Sequence, residues 1–317
     1  MLQSSCNIDT EMSLDFFMTG ASTATIRSFN RYELKYLIHA SETAGIVADV
    51  LKQMSPDRHG DASGSYVISN LYYDSAQLHM LHSKVIGSNY RRKLRVRVYG
   101  DVGDGPPRMA MAEIKQRLGR TTQKRRVMVP LDEALRICEA QSSRTWDDVK
   151  DQAVADEIRC LVLALGLRPA CTISYRRRAF VGSRFEPGLR VTIDTDLWGA
   201  PPRLDFYAQR PTTFLMPRDW AVLEIKVDDR VPSWINELVT RHNCQLRRVS
   251  KYWLGMVKLH NIQLPMAAWP SSGDLGSARR DDDEGAPILP LPVRHPPSPN
   301  PDSDVHDEQL SAATRNS

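Results

Sequence analysis

Apolar and charged residues alternate one for one in segment after segment of this chain. Arg31, Glu33 and Lys35 alternate with Tyr32, Leu34 and Tyr36. Arg91, Lys93, Arg95 and Arg97 alternate with Leu94, Val96 and Val98. Arg190, Thr192 and Asp194 alternate with Leu189, Val191 and Ile193, and Glu224, Lys226 and Asp228 with Leu223, Ile225 and Val227. Successive side chains of a β-strand point to opposite faces, so each segment is a strand with one apolar and one charged face. An ordinary solvated outer face explains any one of them. Their repetition calls for more, because the charged faces are mostly Arg and Lys, and like charges opposite one another destabilise a sheet. Gathered on one face, and inside a barrel if the sheet closes, these cations imply an anionic ligand. Arg and Lys are the side chains that bind phosphate.

The remaining pattern predicts strands near 66–73, 109–117, 123–129 and 170–181 beside those at 90–99, 188–196 and 220–228. Ser41 is the expected N-cap of a helix through about Met54. Helices are expected at 131–140 and at 151–166, the second stopped by Gly166. Pro232 opens another to about His242, and a last one runs from Ser250 to about His260. Asp104, Gly105, Pro106 and Pro107 read as a turn. Two strand-rich halves around a helical middle predict an α+β fold, a long antiparallel barrel with peripheral helices.

Charge sharpens this picture. The formal net charge of the 317 residues is only +4, but residues 1–25 carry −3 and residues 265–317 carry −5, so residues 26–264 carry +12. A basic centre of that size points to an anionic partner. The stretch 265–317 holds nine of the 20 prolines and the run Asp281, Asp282, Asp283, Glu284, and reads as a disordered tail. Residues 1–25 read as a disordered leader without the features of a signal peptide. No apolar run reaches the length of a membrane span, so no membrane insertion is expected. Five scattered cysteines form no CxxC pair and suit a reducing cytoplasm.

Several chemistries find no motif. There is no GxxxxGK[ST], no GxGxxG and no GxSxG. His79 and His82 lack a third metal ligand. Phosphate would therefore be held by side chains rather than by a glycine loop. Aromatics amount to 7% and fall mostly on the apolar faces of the pattern, which argues against stacked nucleic acid.

The segments RYELKY (31–36), SNLYYD (69–74), YRRKLRVRVYG (90–100), AEIKQR (112–117), ISYRRRAF (173–180), LRVTID (189–194), LEIKV (223–227) and SKYW (250–253) resemble, in order, those of the VTC (vacuolar transporter chaperone) domain. This is the polyphosphate polymerase domain of the CYTH, or triphosphate-tunnel metalloenzyme, superfamily. The resemblance implies an eight-stranded antiparallel β-tunnel with peripheral helices. Inward basic residues would bind triphosphate or polyphosphate, and inward carboxylates Mn²⁺ or Mg²⁺. It implies a tunnel domain over residues 26–264, without the SPX domain and membrane helices of the eukaryotic members. The superfamily's ExExK signature reads Arg31-Tyr32-Glu33-Leu34-Lys35 here, with Arg31 in place of the first Glu, which favours the polymerase branch.

On matching positions, Lys35, Arg95, Arg97, Lys115, Arg190 and Lys226 are the expected phosphate-gripping catalytic cations. Arg31, Lys93, Lys124, Arg126, Lys251 and Arg177 are the second choice, as substrate-binding cations, Arg177 being chosen over its neighbours on the family pattern. Tyr73 is either core or a phosphate hydrogen-bond donor. Glu224 is the first candidate for a metal ligand, with an ion pair to a neighbouring Lys as its alternative; Glu33 and Glu113 follow. Asp194 would orient an Arg. The expected activity is metal-dependent transfer of the γ-phosphate of ATP to polyphosphate. A tunnel triphosphatase and a non-catalytic polyphosphate-binding module are the alternatives.

Overall fold

The computed structural model describes residues 31–262 except 101–104, 106, 120, 146–147, 185, 187, 209–211, 229 and 248. The expectations for 1–25 and 265–317, and residues 104 and 106 of the expected turn, lie outside the described residues.

Among the described residues, eleven strands form one antiparallel sheet: β1 (Arg31–His39), β2 (Met54–Pro56), β3 (Ser65–Asp74), β4 (Tyr90–Tyr99), β5 (Met109–Leu118), β6 (Thr121–Pro130), β7 (Arg168–Gly182), β8 (Arg190–Ala200), β9 (Thr213–Phe214), β10 (Trp220–Asp228) and β11 (Gln245–Leu246). The path is β11-β1-β10-β8-β7-β3-β4-β5-β6, with β2 on β7 and β9 on β8. The eight long strands are the expected tunnel wall. No ladder joins β6 to β1 among the described residues, yet the sheet curls: Lys115 Nζ of β5 lies 3.3 Å from Glu33 Oε2 of β1.

Register shows why the charges share a face. Glu33 pairs with Lys226 and Lys226 with Arg190; Lys35 pairs with Glu224 and Glu224 with Thr192. On the other half, Tyr72 pairs with Arg95, Arg95 with Glu113 and Glu113 with Arg126. The alternate residues face away from the tunnel and are buried under helices. Helices α1 (Thr43–Val50) and α5 (Ser233–Arg241) cover Leu223, Ile225, Val191 and Ile193. Helices α3 (Leu131–Cys138) and α4 (Val149–Leu165) cover Leu94, Val96, Ile114 and Val127. Two apolar layers thus fix the pleat, and a one-residue slip would bury every cation under a helix.

Gly166 ends α4 at φ +56, where a side chain is strained, as expected of that stop. The first helix is shorter than expected: Ala40–Glu42 is a 3-10 turn, and the N-cap of α1 is Glu42 rather than Ser41. Helix α2 (His79–Val85) was not anticipated, because its cap lies outside its own sequence. The buried Asp74 carboxylate accepts from the backbone N–H groups of Met80 and Leu81, at 2.8 and 3.0 Å.

Helix α6 (Lys251–Leu259) lies on the inward side of β7, where Gly255 packs so close to Ile173 that a Cβ would come within 2.6 Å of its Cδ1. Ser250 caps it, accepting from Trp253 N–H at 3.3 Å. Tyr252 then packs its ring 5.2 Å from Tyr72 and donates its hydroxyl to Asp74.

Candidate functional site

Beta-strand alternation on β1, β8 and β10 delivers one half of the site. Lys35 Nζ lies 2.5 Å from Glu33 Oε1, and Lys226 Nζ pairs with Glu224 Oε1. Burial and the nearby Glu224 push the Glu33 carboxyl upward, but Lys35, Lys115 and Lys226 prevail and hold it at about 2. Glu224 is likewise held well below the usual carboxylate range: Lys226 and Lys35 outweigh its burial. Lys35 is raised, the two carboxylates overcoming burial. Arg190 reaches Asp57 at 2.6 Å and the Tyr66 hydroxyl at 3.2 Å.

Strands β3 to β6 deliver the other half. Arg95 donates to Glu113 Oε2 at 2.7 Å and to the Tyr72 hydroxyl at 3.1 Å. Arg97 donates to Asn70 Oδ1 at 2.8 Å and to the Tyr175 hydroxyl at 3.3 Å. Lys124 Nζ stands 3.4 Å from Glu113 Oε1. Burial, aided by Arg126, Arg95 and Arg97 and opposed by Glu113, brings the Lys124 amine down to about 8. Lys93 is pushed well below its ordinary value by burial and by Lys115 and Lys35. Its ammonium meets the Ser250 hydroxyl at 3.1 Å.

A third group joins the halves. Arg177 makes two hydrogen bonds to Asp194, at 2.7 and 2.8 Å, and Lys251 of α6 reaches the same carboxylate at 2.6 Å. Asp194 orients an Arg, as the sequence suggests, and that Arg is Arg177.

The structure therefore brings Lys35, Arg95, Arg97, Lys115, Arg190 and Lys226 to one concave face, together with Lys93, Lys124, Arg177 and Lys251. Arg126 holds that register opposite Glu113 but is exposed, with Nη1 3.6 Å from Met111 Sδ. Arg31 pairs with Asp228 through the backbone, and its side chain lies outside the described residues. Tyr73 is not part of this face. It is fully buried in the core under α3, so of its two expected roles the core one is realised, and its neighbour Tyr72 is the inward tyrosine.

A second correction concerns the aromatics. Tyr66, Tyr72 and Tyr175 lie on the charged face and brace Arg190, Arg95 and Arg97 respectively through their hydroxyls. Parity along β3 placed Tyr66 and Tyr72 with Asn70, a signal available in the sequence and overlooked there. Asn70, Asp57 and Ser250 were also missed. Asp57 and Ser250 come from loops, and periodicity says nothing of loops.

Glu33 and Glu224 are the two carboxylates of this half of the face, and the Glu224 charge acts to raise the Glu33 carboxyl. Two carboxylates facing phosphate oxygens are the donor set that Mg²⁺ takes alongside a phosphorylated substrate, and Mn²⁺ takes the same oxygens. These residues offer such oxygens, but here each is ion-paired, Glu33 with Lys35 and Lys115 and Glu224 with Lys226, so the ion pair expected as the alternative role of Glu224 is present. Glu113 does not fit such an ion: it is 1% exposed and enclosed by Arg95, Arg97 and Lys124. Among the described residues no cluster of three or more His, Cys, Asp or Glu is arranged as a metal site. No described helix is long and apolar enough to cross a membrane.

Comparison with known proteins adds the family. A candidate adenylate cyclase from Bacillus halodurans is 12% identical, with 69% of this chain and 92% of that chain covered, at a TM-score of 0.41. An adenylyl cyclase candidate from Hippeastrum, described as having a dominant triphosphatase activity, is 13% identical over 74% and 97%, at 0.39. The capping-enzyme triphosphatase of Mimivirus is 10% identical over 66% and 86%, at 0.25. No curated protein matches the sequence. These structural likenesses are distant, and the assignment rests on the family model. The model of the VTC domain matches residues 30–260, from the first long strand through the helix that supplies Lys251, and the chain belongs to the VTC domain family.

Proposed function

We propose that this protein is a metal-dependent polyphosphate polymerase that moves the γ-phosphate of ATP onto a polyphosphate chain. The observation that carries this reading is the continuity of cations across the concave face. They run from Lys226, Lys35 and Arg190 through Arg177 and Lys251 to Arg97, Arg95, Lys93, Lys115 and Lys124, and outnumber the carboxylates among them. A single triphosphate needs fewer partners than this, whereas a polymer lying beside a nucleotide uses them all.

Phosphoryl transfer asks for charge neutralisation and in-line placement more than for covalent help. Arg95, Arg97 and Arg177 are pinned by hydrogen bonds, so their donors are aimed before substrate arrives. Glu33 and Glu224 would hold a Mg²⁺ or Mn²⁺ ion, which when bound neutralises charge on the transferring phosphates. Lys35 and Lys226, each paired with one of those carboxylates, are positioned to exchange them for phosphate oxygens. A terminal polyphosphate oxygen forms the new bond to the γ-phosphorus, the bond from that phosphorus to the β–γ bridging oxygen breaks, and ADP leaves with the electron pair.

The test is purified protein with ATP and Mn²⁺, assayed together for ADP, free phosphate and long polyphosphate. ADP with polymer is the expected result. ADP with stoichiometric free phosphate and no polymer identifies a tunnel triphosphatase. Polyphosphate binding without turnover identifies a binding module. We place the protein in the cytoplasm on its cysteine usage, and expect no nucleic acid partner.

A further inference from the structure

Beyond the last arginines, one end of the inward face changes character. Tyr99 lies two residues past Arg97 on β4, about 7 Å further along, on the same face. Arg97 pairs with Met111, and Met111 with Met128, so Met109, Met111 and Met128 share that face on β5 and β6. Tyr99, Met109 and Met128 are 43%, 43% and 36% exposed. An exposed aromatic and two exposed thioethers thus adjoin one another on a face that is otherwise cationic.

The ledge connects directly to the phosphate-binding groups. The Tyr99 ring stands 5.7 Å from the Tyr66 ring, tilted 58°, and Tyr66 takes a hydrogen bond from Arg190 at 3.2 Å. Isolated exposed apolar side chains are commonplace, but a contiguous group beside a ligand site is a binding surface. A flat, polarisable group suits this surface, and one joined to phosphates could place them on Arg97 and Arg190. Stacking on tyrosine and packing on methionine sulfur suit a heteroaromatic ring.

We propose that Tyr99, supported by Tyr66 and flanked by Met109 and Met128, is the shelf for the base of a nucleoside triphosphate whose phosphates enter the cationic face. This rests on the reading of a nucleotide as phosphate donor, and it names the part of the site that distinguishes a nucleotide from inorganic triphosphate. Because every base has a stacking face, the shelf takes adenine and guanine alike.

The test is calorimetric binding of the β,γ-imido analogue of ATP, its guanine counterpart and inorganic triphosphate to the full chain. Wild type is compared with Tyr99→Ala and Tyr99→Phe; the side chain is exposed, so both variants should fold. Stacking on one aromatic is worth enough that Tyr99→Ala should weaken both nucleotides by about tenfold. Inorganic triphosphate should be unaffected, and Tyr99→Phe should bind like wild type. Equal weakening of all three ligands, or of none, overturns the shelf while leaving ATP as donor. A wild type that binds triphosphate but no nucleotide overturns both.

Discussion

Arg177 and Asp194 meet through two parallel hydrogen bonds of 2.7 and 2.8 Å, with the Asp194 side chain wholly buried. Arg177 and Lys251 hold the carboxyl below its ordinary value against the burial that raises it. Removing one partner of a buried pair costs about 3–5 kcal/mol, because it strands the other charge. Asp194→Asn strands two cations. Its melting temperature should fall by several degrees or more, and added polyphosphate should raise it further than it raises wild type. Melts with and without polyphosphate check this, and an equal ligand-induced rise in both proteins rejects it.

Lys226→Ala and Arg97→Ala should both abolish turnover but should separate in stability. Lys226 is partly exposed, and Lys35 remains beside the Glu224 it leaves. Arg97 is buried, and its loss leaves Asn70 Oδ1 without its donor, costing about 1–3 kcal/mol. Chemical denaturation should show the smaller loss for Lys226→Ala. The reverse order would mean that the Lys226–Glu224 pair is a structural element.

Glu224→Gln keeps the shape and removes the charge. If Glu224 holds the ion, the metal midpoint of the rate rises and extra Mn²⁺ restores part of it. Metal-free polyphosphate binding is unchanged or tighter, because a negative charge has left a phosphate site. A titration of the rate with Mn²⁺ reads the midpoint. An unchanged midpoint moves the metal to Glu33 alone.

Packing against the site and its neighbouring arginines draws the partly exposed Lys124 amine down to about 8, so its charge is present below that pH and lost as pH rises through it. Binding of long-chain polyphosphate, whose inner groups stay ionised throughout, should weaken across pH 8, with proton uptake on binding just above it. Lys124→Arg should remove its own share of that limb, since Arg stays charged, and leave the share of Lys93 and Lys115, whose amines are also lowered. Calorimetry in buffers of differing ionisation enthalpy measures the uptake. A wild-type profile that is flat from pH 7 to 9.5 discards the assignment.

A chain ending at residue 264 retains every residue matched by the family model, which ends at 260. It should bind polyphosphate and turn over ATP as the full chain does. Loss of either activity would give the acidic Pro-rich stretch a part in the site.

Much of this was legible in the sequence because it lives on strands. Period-two alternation located β4 and β10 to the residue and put Lys35, Arg95 and Lys226 on the inward face. It failed where that period breaks or does not apply. The β7 ladder shifts between Ser174 and Arg176, so counting along Arg176-Arg177-Arg178 could not assign Arg177. Helix α2 is capped by Asp74 from outside its own span, beyond the reach of a local cap rule. The pairing of Lys251 with Asp194 joins positions far apart in the chain, and no local pattern encodes it.

That last pairing bears on how the protein is made. Every strand of the long wall precedes Ser250 and Lys251 in the chain and is synthesised before them. A nascent chain at that point holds Asp194 with one cation instead of two, Asp74 without the Tyr252 hydroxyl, and Lys93 without Ser250. The phosphate-binding face therefore stays incomplete until α6 emerges, and docking of that helix supplies its last partners.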